Sequence, residues 1–270
     1  MNGWDLELVA VRRHLSDDAE RRALARDVER GLKVRLRRGV YASANEVEQL
    51  GSAGRAVVHM RALDAVSTER PVFSHWSAVV LHGLPFLVER TSVVDVTDPG
   101  RTRAVDGSRL HGLALSGSDI VEVGGLLCTS SARTVIDIAG AAAFGHGVAV
   151  ADAALHARQV LPVDLDAARL RAGSRPSVKR IDDVLAFADE ACESPGESLS
   201  RATMHRLGLP TPVLQHTLRD ARGFVARVDF SFPEQRAVGE MDGKAKYFAS
   251  VPTLAGSLSP VIVEATKLPS

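Results

Sequence analysis

The hydrophobic and polar positions near the start of the chain change period once. Leu24 and Val28 are four residues apart and form an apolar seam, after which Leu32, Val34 and Leu36 alternate with Lys33, Arg35 and Arg37. A spacing of four is helical and a spacing of two is that of a half-buried strand. Ser16 is the expected N-cap of the helix, because Asp17 and Asp18 follow it and suit the positive end of a helix dipole. Gly31 fits the left-handed position that ends a helix. Arg38-Gly39 reads as a turn and Val40-Tyr41 as the start of a return strand. A helix followed by a basic hairpin is the outline of a winged helix-turn-helix, expected over residues 1–50.

The next stretch, 51–173, alternates in type and is expected to be an α+β domain. Residues 55–90 hold two helices, the second starting at Ser74 and stopped by Gly83 and Pro85. TSVVDVT and DIVEV are short strands, and Gly124-Gly125 supplies a tight turn into a third, LLCTS. SARTVIDIAGAAA is a buried helix capped by Ser130 or Ser131, and an Ala-rich helical stretch covers about 147–161. The turn-rich RAGSRPS, 171–177, is the best domain boundary. Beyond it, over 178–248, SPGESLSRATMHRLGLP is a helix with Leu199, Thr203 and Leu207 on one face, closed by Gly208 and Pro210. PVLQHTLRD, FVARVDFSF and RAVGEMDG are three strand candidates. Helix and strands in this succession give the chain its α/β character within an overall α+β class. The tail, 249–270, has Pro252, Pro260 and Pro269 and no helical period, and only VIVEA in it reads as a strand.

Composition narrows the classes. Lys+Arg 33 against Asp+Glu 33 in 270 residues leaves no net charge, which excludes a histone-like basic protein. Hydrophobic residues at 45% support a sizeable core, and aromatics at 4% mean that it is built from Ala, Val and Leu. Only two cysteines, Cys128 and Cys192, are present, too few for a disulfide framework or a thiolate zinc site. With no apolar run behind the basic N-terminal residues and no apolar stretch of membrane-spanning length, a soluble cytoplasmic protein is expected. Inside this neutral chain the basic residues Arg30, Lys33, Arg35, Arg37 and Arg38 have no acidic residue after Glu29 to offset them. A solvated charged face is the plainer explanation, but potential concentrated on one hairpin suits phosphate contact. The candidate residues for duplex DNA are Arg21, Arg22 and Arg26 on the helix and Lys33, Arg35, Arg37 and Arg38 on the hairpin.

Candidate chemistry lies in the last third. Glu240, Asp242 and Lys244 are spaced by two, so on a continuing strand they share a face, and Asp229 ends an apolar alternating run on the strand before. Carboxylates gathered from adjacent strands repel unless a divalent cation neutralises them, and hard oxygen ligands suit Mg²⁺ or Mn²⁺. A lysine beside such an ion, Lys244 or Lys246, stabilises charge developing on a phosphate. On spacing alone the plainer reading carries more weight, because Asp242-Gly243 is a common turn signal. His75 and His82 lack a third ligand, Ser130 and Ser131 are explained as caps, and Cys128 and Cys192 are explained as small core residues. His205 and His216 flank the carboxylates in sequence only. No Gly-rich phosphate loop occurs.

Two segments, ESPGESLSRATMHRLGLPTPVLQH and ARVDFSFPEQRAVGEMDGKAKY, resemble the very-short-patch-repair-like branch of the PD-(D/E)xK endonuclease superfamily. The resemblance implies a restriction-endonuclease-like fragment with Glu197, Asp229, Glu240 and Asp242 as its acidic residues and Lys244 or Lys246 as the basic one. Asp229 and Glu240 would be the ligands of Mg²⁺ or Mn²⁺. RGVYA, SHWSAVVLHGLP and TSSARTVIDIA resemble actinobacterial proteins that join an abortive-infection (type IV) antitoxin domain to this nuclease-like domain. That arrangement implies a winged helix on duplex DNA and a cognate toxin protein as partner. Such relatives continue past the lysine with a charged amphipathic helix and a final strand. Nothing after Phe248 has that pattern, so the tail reads as a truncated or frameshifted end. The function expected is therefore a DNA-binding, antitoxin-like transcriptional regulator whose endonuclease-like domain has weak or no activity. The alternative is a metal-dependent DNA endonuclease.

Overall fold

The computed structural model describes residues 3–11, 17–88, 92–99, 107–220, 223–241 and 266–267. These form a mixed α+β protein of two compact units, Met1–Ile138 with Val163–Arg175, and Ala139–Pro162 with Pro176–Ser270. No helix among the described residues is long and apolar enough to cross a membrane.

In the first unit, β1 (Val9–Ala10), β2 (Lys33–Arg37) and β3 (Val40–Ser43) form a small antiparallel sheet in the order β1-β3-β2. Helix α1 (Asp18–Glu29) precedes β2 and has no buried residue. Its cap is Asp17 rather than Ser16, which lies outside the described residues. The Asp17 carboxylate accepts from Glu20 N at 2.7 Å. Gly31, with φ +71°, adopts the left-handed conformation expected of it and ends the helix.

The strict alternation expected for β2 is broken. Pairing runs Arg35↔Tyr41 and then Arg37↔Val40, so Leu36 is an extra residue in a bulge. A bulge shifts side chains to the other face. Leu36 packs into the core, whereas Val34 and Leu32 are 37% and 57% exposed on this edge strand, contrary to the expectation that all three share a buried face.

Helices α2 (Ala44–Glu48) and α3 (Ser52–Val66) follow. One side of α3 gives Val58 and Ala62 to the core of the small sheet. Its other side gives Ala56, Val57 and Met60 to the core of a second sheet. That sheet has the order β6-β5-β4-β8-β7, from β4 (Val72–Phe73), β5 (Val94–Thr97), β6 (Ser108–His111), β7 (Ile120–Val123) and β8 (Leu126–Thr129). Helix α4 (His75–Leu81) packs beside it. The β7–β8 turn needs two glycines, Gly124 and Gly125 at φ +56° and +83°. A Cβ on Gly124 would also lie 2.5 Å from the Trp4 ring.

The opposite face of β5 and β6 is polar. Asp95 and Thr97 alternate with Val94 and Val96, and β6 places Arg109 and His111 in register beside them. Asp95 accepts from His111 Nε2 at 2.8 Å, and the His111 ring stacks on that of His75 at 3.5 Å. His75 sits at φ +49°, and burial, followed by the His111 charge, pushes its pKa down to about 3.

Helix α5 (Ser131–Ala141), capped by Ser130 Oγ accepting from Arg133 N at 3.4 Å, carries Arg133 to the centre of this unit. Arg133 is 1% exposed, pairs with Asp137 at 3.0 Å and Asp119 at 3.3 Å, and donates to Ala114 O at 2.9 Å. Arg171, on α7 (Pro162–Arg171), and Arg175 complete the network against Asp119 and Asp137 respectively.

The second unit contains α6 (Phe144–His156), α8 (Val178–Phe187), α9 (Pro195–Arg206) and the sheet β12-β11-β10-β9. Its strands are β9 (Val213–Asp220), β10 (Gly223–Phe232), β11 (Ala237–Gly239) and β12 (Thr266–Lys267). The expected strand VIVEA lies outside the described residues, and β12, immediately after it, pairs with β11 through Ala237↔Lys267 and Val238↔Thr266. Leu207, expected on the apolar face of α9, falls at its C-cap and is 69% exposed.

Two stability effects follow from the first unit. Asp137→Ala strands Arg133 and Arg175 beside a missing anion and is expected to cost about 3–5 kcal/mol, read by urea denaturation. His75 is charged in the unfolded chain below its ordinary value near 6.5 but stays neutral in the fold down to about 3. Stability is therefore lost as pH falls through that window, with a slope approaching about 1.4 kcal/mol per pH unit from this one group. His75→Asn, which tolerates a positive φ, is expected to flatten the pH 4–6 dependence of the melting temperature relative to the natural protein.

Candidate functional site

The acidic candidates are positioned from α6 outward. Asp152 on α6 is fully buried, and burial raises its pKa against the pull of Arg201. Its carboxylate accepts from Ser198 Oγ at 2.7 Å and Arg201 Nη2 at 2.9 Å, both on α9. It also accepts from Asp189 N at 2.7 Å in the preceding loop. Arg201 additionally donates to Phe187 O and lies 4.3 Å over the Phe187 ring. These bonds fix the rotation and register of α9, and thereby place Glu197.

Glu197 is 6% exposed. It lies in the first turn of α9, where Ser194 Oγ caps Glu197 N at 3.2 Å and donates to Glu197 Oε1 at 2.7 Å. Glu193 N donates to Oε2 at 3.0 Å. Ser194 and Glu197 thus form a reciprocal cap, a role that the Ser-x-x-Glu spacing itself signals. Oε2 accepts a second bond, 2.8 Å long, from Gln215 Nε2 on β9, the third to this carboxylate.

Asp229 is half-buried on β10 between the buried Val228 and Phe230. Its Oδ2 accepts from Met241 N at 2.7 Å, and its Oδ1 lies 3.5 Å from the same Gln215 Nε2. The β10–β11 ladder ends at Phe230↔Gly239, and Glu240, next in the chain, is exposed just past the end of β11. The structure therefore brings together Glu197, Asp229 and the Glu240-Met241 backbone. Asp242, Lys244 and Lys246 lie outside the described residues.

Sequence reasoning missed Gln215. It is the hub of the cluster, and its backbone is in the left-handed region at φ +50°. A neutral polar residue on an alternating strand gives no signal in sequence, because its significance comes from what stands opposite it. The amide orientation is chemically determined: both partners are carboxylates, which only accept, so the NH₂ group must face them.

The resemblance implies Mg²⁺ or Mn²⁺ at these carboxylates. Among the described residues no three His, Cys, Asp or Glu side chains converge to hold a metal ion. The polar group between Glu197 and Asp229 is the Gln215 amide, and with Nε2 facing them it presents a donor where a cation requires an acceptor.

The set-aside residues have separate partners. His82 Nε2 donates to Thr129 O at 2.7 Å, which leaves Nδ1 to accept from Ser131 Oγ at 3.2 Å. His205 packs with Phe187 and Phe144 beside a groove of about 820 Å³, two turns along α9 from Glu197. Burial pushes the thiols of Cys128 and Cys192 up to about 12, so both are packing groups rather than nucleophiles.

The basic candidates divide into two groups. Arg21, Arg22 and Arg26 are exposed on α1, but Asp18, Glu20, Asp27 and Glu29 share that helix. The surplus of positive charge is on the hairpin, where Arg35 and Arg38 are exposed and Lys33 is half-exposed. Arg37 differs from the others. It follows the bulge, is half-buried, and donates to Gly107 O at 3.3 Å. After burial, its charge is the second cause of the lowered pKa of His59.

No family profile matches the chain. It is similar to two Mycobacterium tuberculosis proteins, "Uncharacterized protein Rv2248" of strain ATCC 25618 / H37Rv and "Uncharacterized protein MT2308" of strain CDC 1551 / Oshkosh. Each is 31% identical over 223 residues, which are 82% of this chain and 78% of the relative. The chain belongs to the family of these mycobacterial proteins.

Glu197→Ala removes the acceptor for Ser194, Glu193 N and Gln215 together and leaves those donors facing an apolar gap. It is expected to lower unfolding stability by about 2–4 kcal/mol in urea. The surface change Glu234→Ala, at the exposed β10–β11 turn, is expected to stay within about 0.5 kcal/mol of the natural protein.

Proposed function

We propose that the protein is a DNA-binding, antitoxin-like regulator whose second unit is an endonuclease-like domain with little or no catalytic activity. The observation that carries the reading is the exposed helix α1 followed by a hairpin whose Lys33, Arg35 and Arg38 have no acidic neighbour in sequence. A helix and hairpin joined by a short left-handed turn match a winged helix, with α1 directed to the major groove and the hairpin to the adjacent phosphates. Phosphate contact supplies affinity without sequence information, and Arg21, Arg22 and Arg26 are the residues available for reading base edges. A cognate toxin protein is the partner that such a regulator would answer to. The silence of the second unit is supported by the neutral donors, Gln215 and main-chain N–H groups, that occupy its carboxylates.

The alternative reading is a Mg²⁺- or Mn²⁺-dependent PD-(D/E)xK endonuclease. It draws on the contact of the Asp229 carboxylate with the main-chain N–H of Met241, the residue after Glu240. The two readings differ in a plasmid assay, where nicking of supercoiled DNA in Mg²⁺ or Mn²⁺, lost in Asp229→Asn, would favour the enzyme.

Duplex binding measured by fluorescence anisotropy across a salt series tests the regulator directly. Each lost phosphate contact lowers the slope of log K against log salt by about 0.9, so Arg35→Ala with Arg38→Ala is expected to reduce it by roughly 2. An unchanged slope would remove the hairpin from the interface. Arg37→Ala is expected to lower the melting temperature while leaving the slope nearly as it was.

A further inference from the structure

Gln215 combines two observations that rarely coincide without a reason. Its backbone is held at φ +50°, in a region costly for a residue with a long side chain, and its amide reaches two carboxylates at 2.8 Å and 3.5 Å. Strain of this kind persists only where the surroundings over-determine it. Here β9 pairs with β10 on both sides of the residue, through Leu214↔Phe230 and His216↔Val228, so the strand cannot relax around it. Every donor that reaches Glu197 and Asp229 among the described residues is neutral: Ser194 Oγ, the N–H groups of Glu193 and Met241, and Gln215 Nε2. Among the described residues, the group that reaches both anions is the Gln215 amide.

We propose that the Gln215 amide takes the place of a divalent cation between Glu197 and Asp229, locking the pair as a cation-free structural element. This inference rests on reading the pair as endonuclease-like carboxylates. The amide offers both anions hydrogen atoms with partial positive charge, so it gives the pair some of what an ion would give. It is covalently tethered and cannot be titrated away or chelated. An ion can enter only if the side chain leaves or its amide turns to present Oε1, and the left-handed backbone that aims it into the pair opposes the first of these movements.

The test is the melting temperature of the full chain in EDTA and in MnCl₂, for the natural protein and for Gln215→Gly. Glycine adopts φ +50° freely, so this change removes the amide without adding backbone strain. The natural protein is expected to melt at the same temperature in both solutions. Gln215→Gly is expected to melt lower in EDTA and to rise by roughly 5–10 °C once Mn²⁺ reaches a hundredfold excess over its Kd. An equal rise in the natural protein would overturn the proposal, because the ion would then bind with the amide in place. No rise in either protein would also overturn it, because removing the amide would not have opened a cation position. If Gln215→Gly shows no cooperative transition in EDTA, Gln215→Glu supplies the same reading. A third carboxylate at that point must show a Mn²⁺-dependent gain, and a flat response overturns the proposal. Plasmid nicking and duplex binding by the natural protein are measured alongside. Mn²⁺-dependent nicking would defeat the silent-domain reading itself, whereas a failure confined to the melting data defeats only the role of Gln215.

Discussion

The guanidinium of Arg133 lies at 1% exposure inside the first unit, and the surrounding structure depends on keeping that charge paired. Two aspartates and a main-chain carbonyl are drawn from three separate places: Asp137 on α5 itself, Asp119 at the head of β7, and Ala114 in the loop before it. Arg171 and Arg175 then share the two aspartates. A buried ion pair adds little to stability by itself, but breaking one is costly, so such a network selects a single arrangement of the elements that feed it. The β7–β8 hairpin and α5, consecutive in the chain, are joined in this way to α7, which follows only after α6.

The second unit applies the same constraint with the sign reversed. Asp152 is the buried charge, and Ser198, Arg201 and Asp189 N are brought to it. Because Ser198 adjoins Glu197, anchoring one residue of α9 sets the direction of the other. The carboxylate cluster is therefore a consequence of how α9 docks on α6. Its own members are satisfied locally, Glu197 by the helix cap it helps to form and Asp229 by the backbone where β11 ends. A glutamate in this position serves the helix start whether or not it serves chemistry.

The basic hairpin has the opposite character. Arg35 and Arg38 are exposed, while Lys33 and Arg37 are half-buried. The bulge at Leu36 sorts them, sending Leu36 to the core and Arg37 toward Gly107 while Arg35 and Arg38 stay in solvent. An exposed basic residue and two core-directed residues, Leu36 and Arg37, are thus drawn from one five-residue strand.

Sequence alone determined the elements whose signals are local. The helix seam at Leu24 and Val28, the stop at Gly31, the Gly124-Gly125 turn and the three strands after α9 follow from spacing, caps and permitted φ, which neighbouring residues set among themselves. Asp229 and Glu240 were legible as candidates because carboxylates in alternating runs stand out, whereas Glu197, in the polar SPGESLS, was a candidate only through the resemblance. Tertiary structure decided the rest. It chose Asp17 over Ser16 as the cap, inserted the bulge that overrides the alternation of β2, and left Leu32 and Val34 exposed on an edge strand. It buried Arg133 and Asp152, which in sequence look like any other charges on a helix. It also made Gln215 the centre of the carboxylate cluster. For the buried charges and the bridging amide the physical reason is that their free energy depends on partners far along the chain, such as Arg171 for Asp119 and Arg201 for Asp152, and no local pattern carries that information.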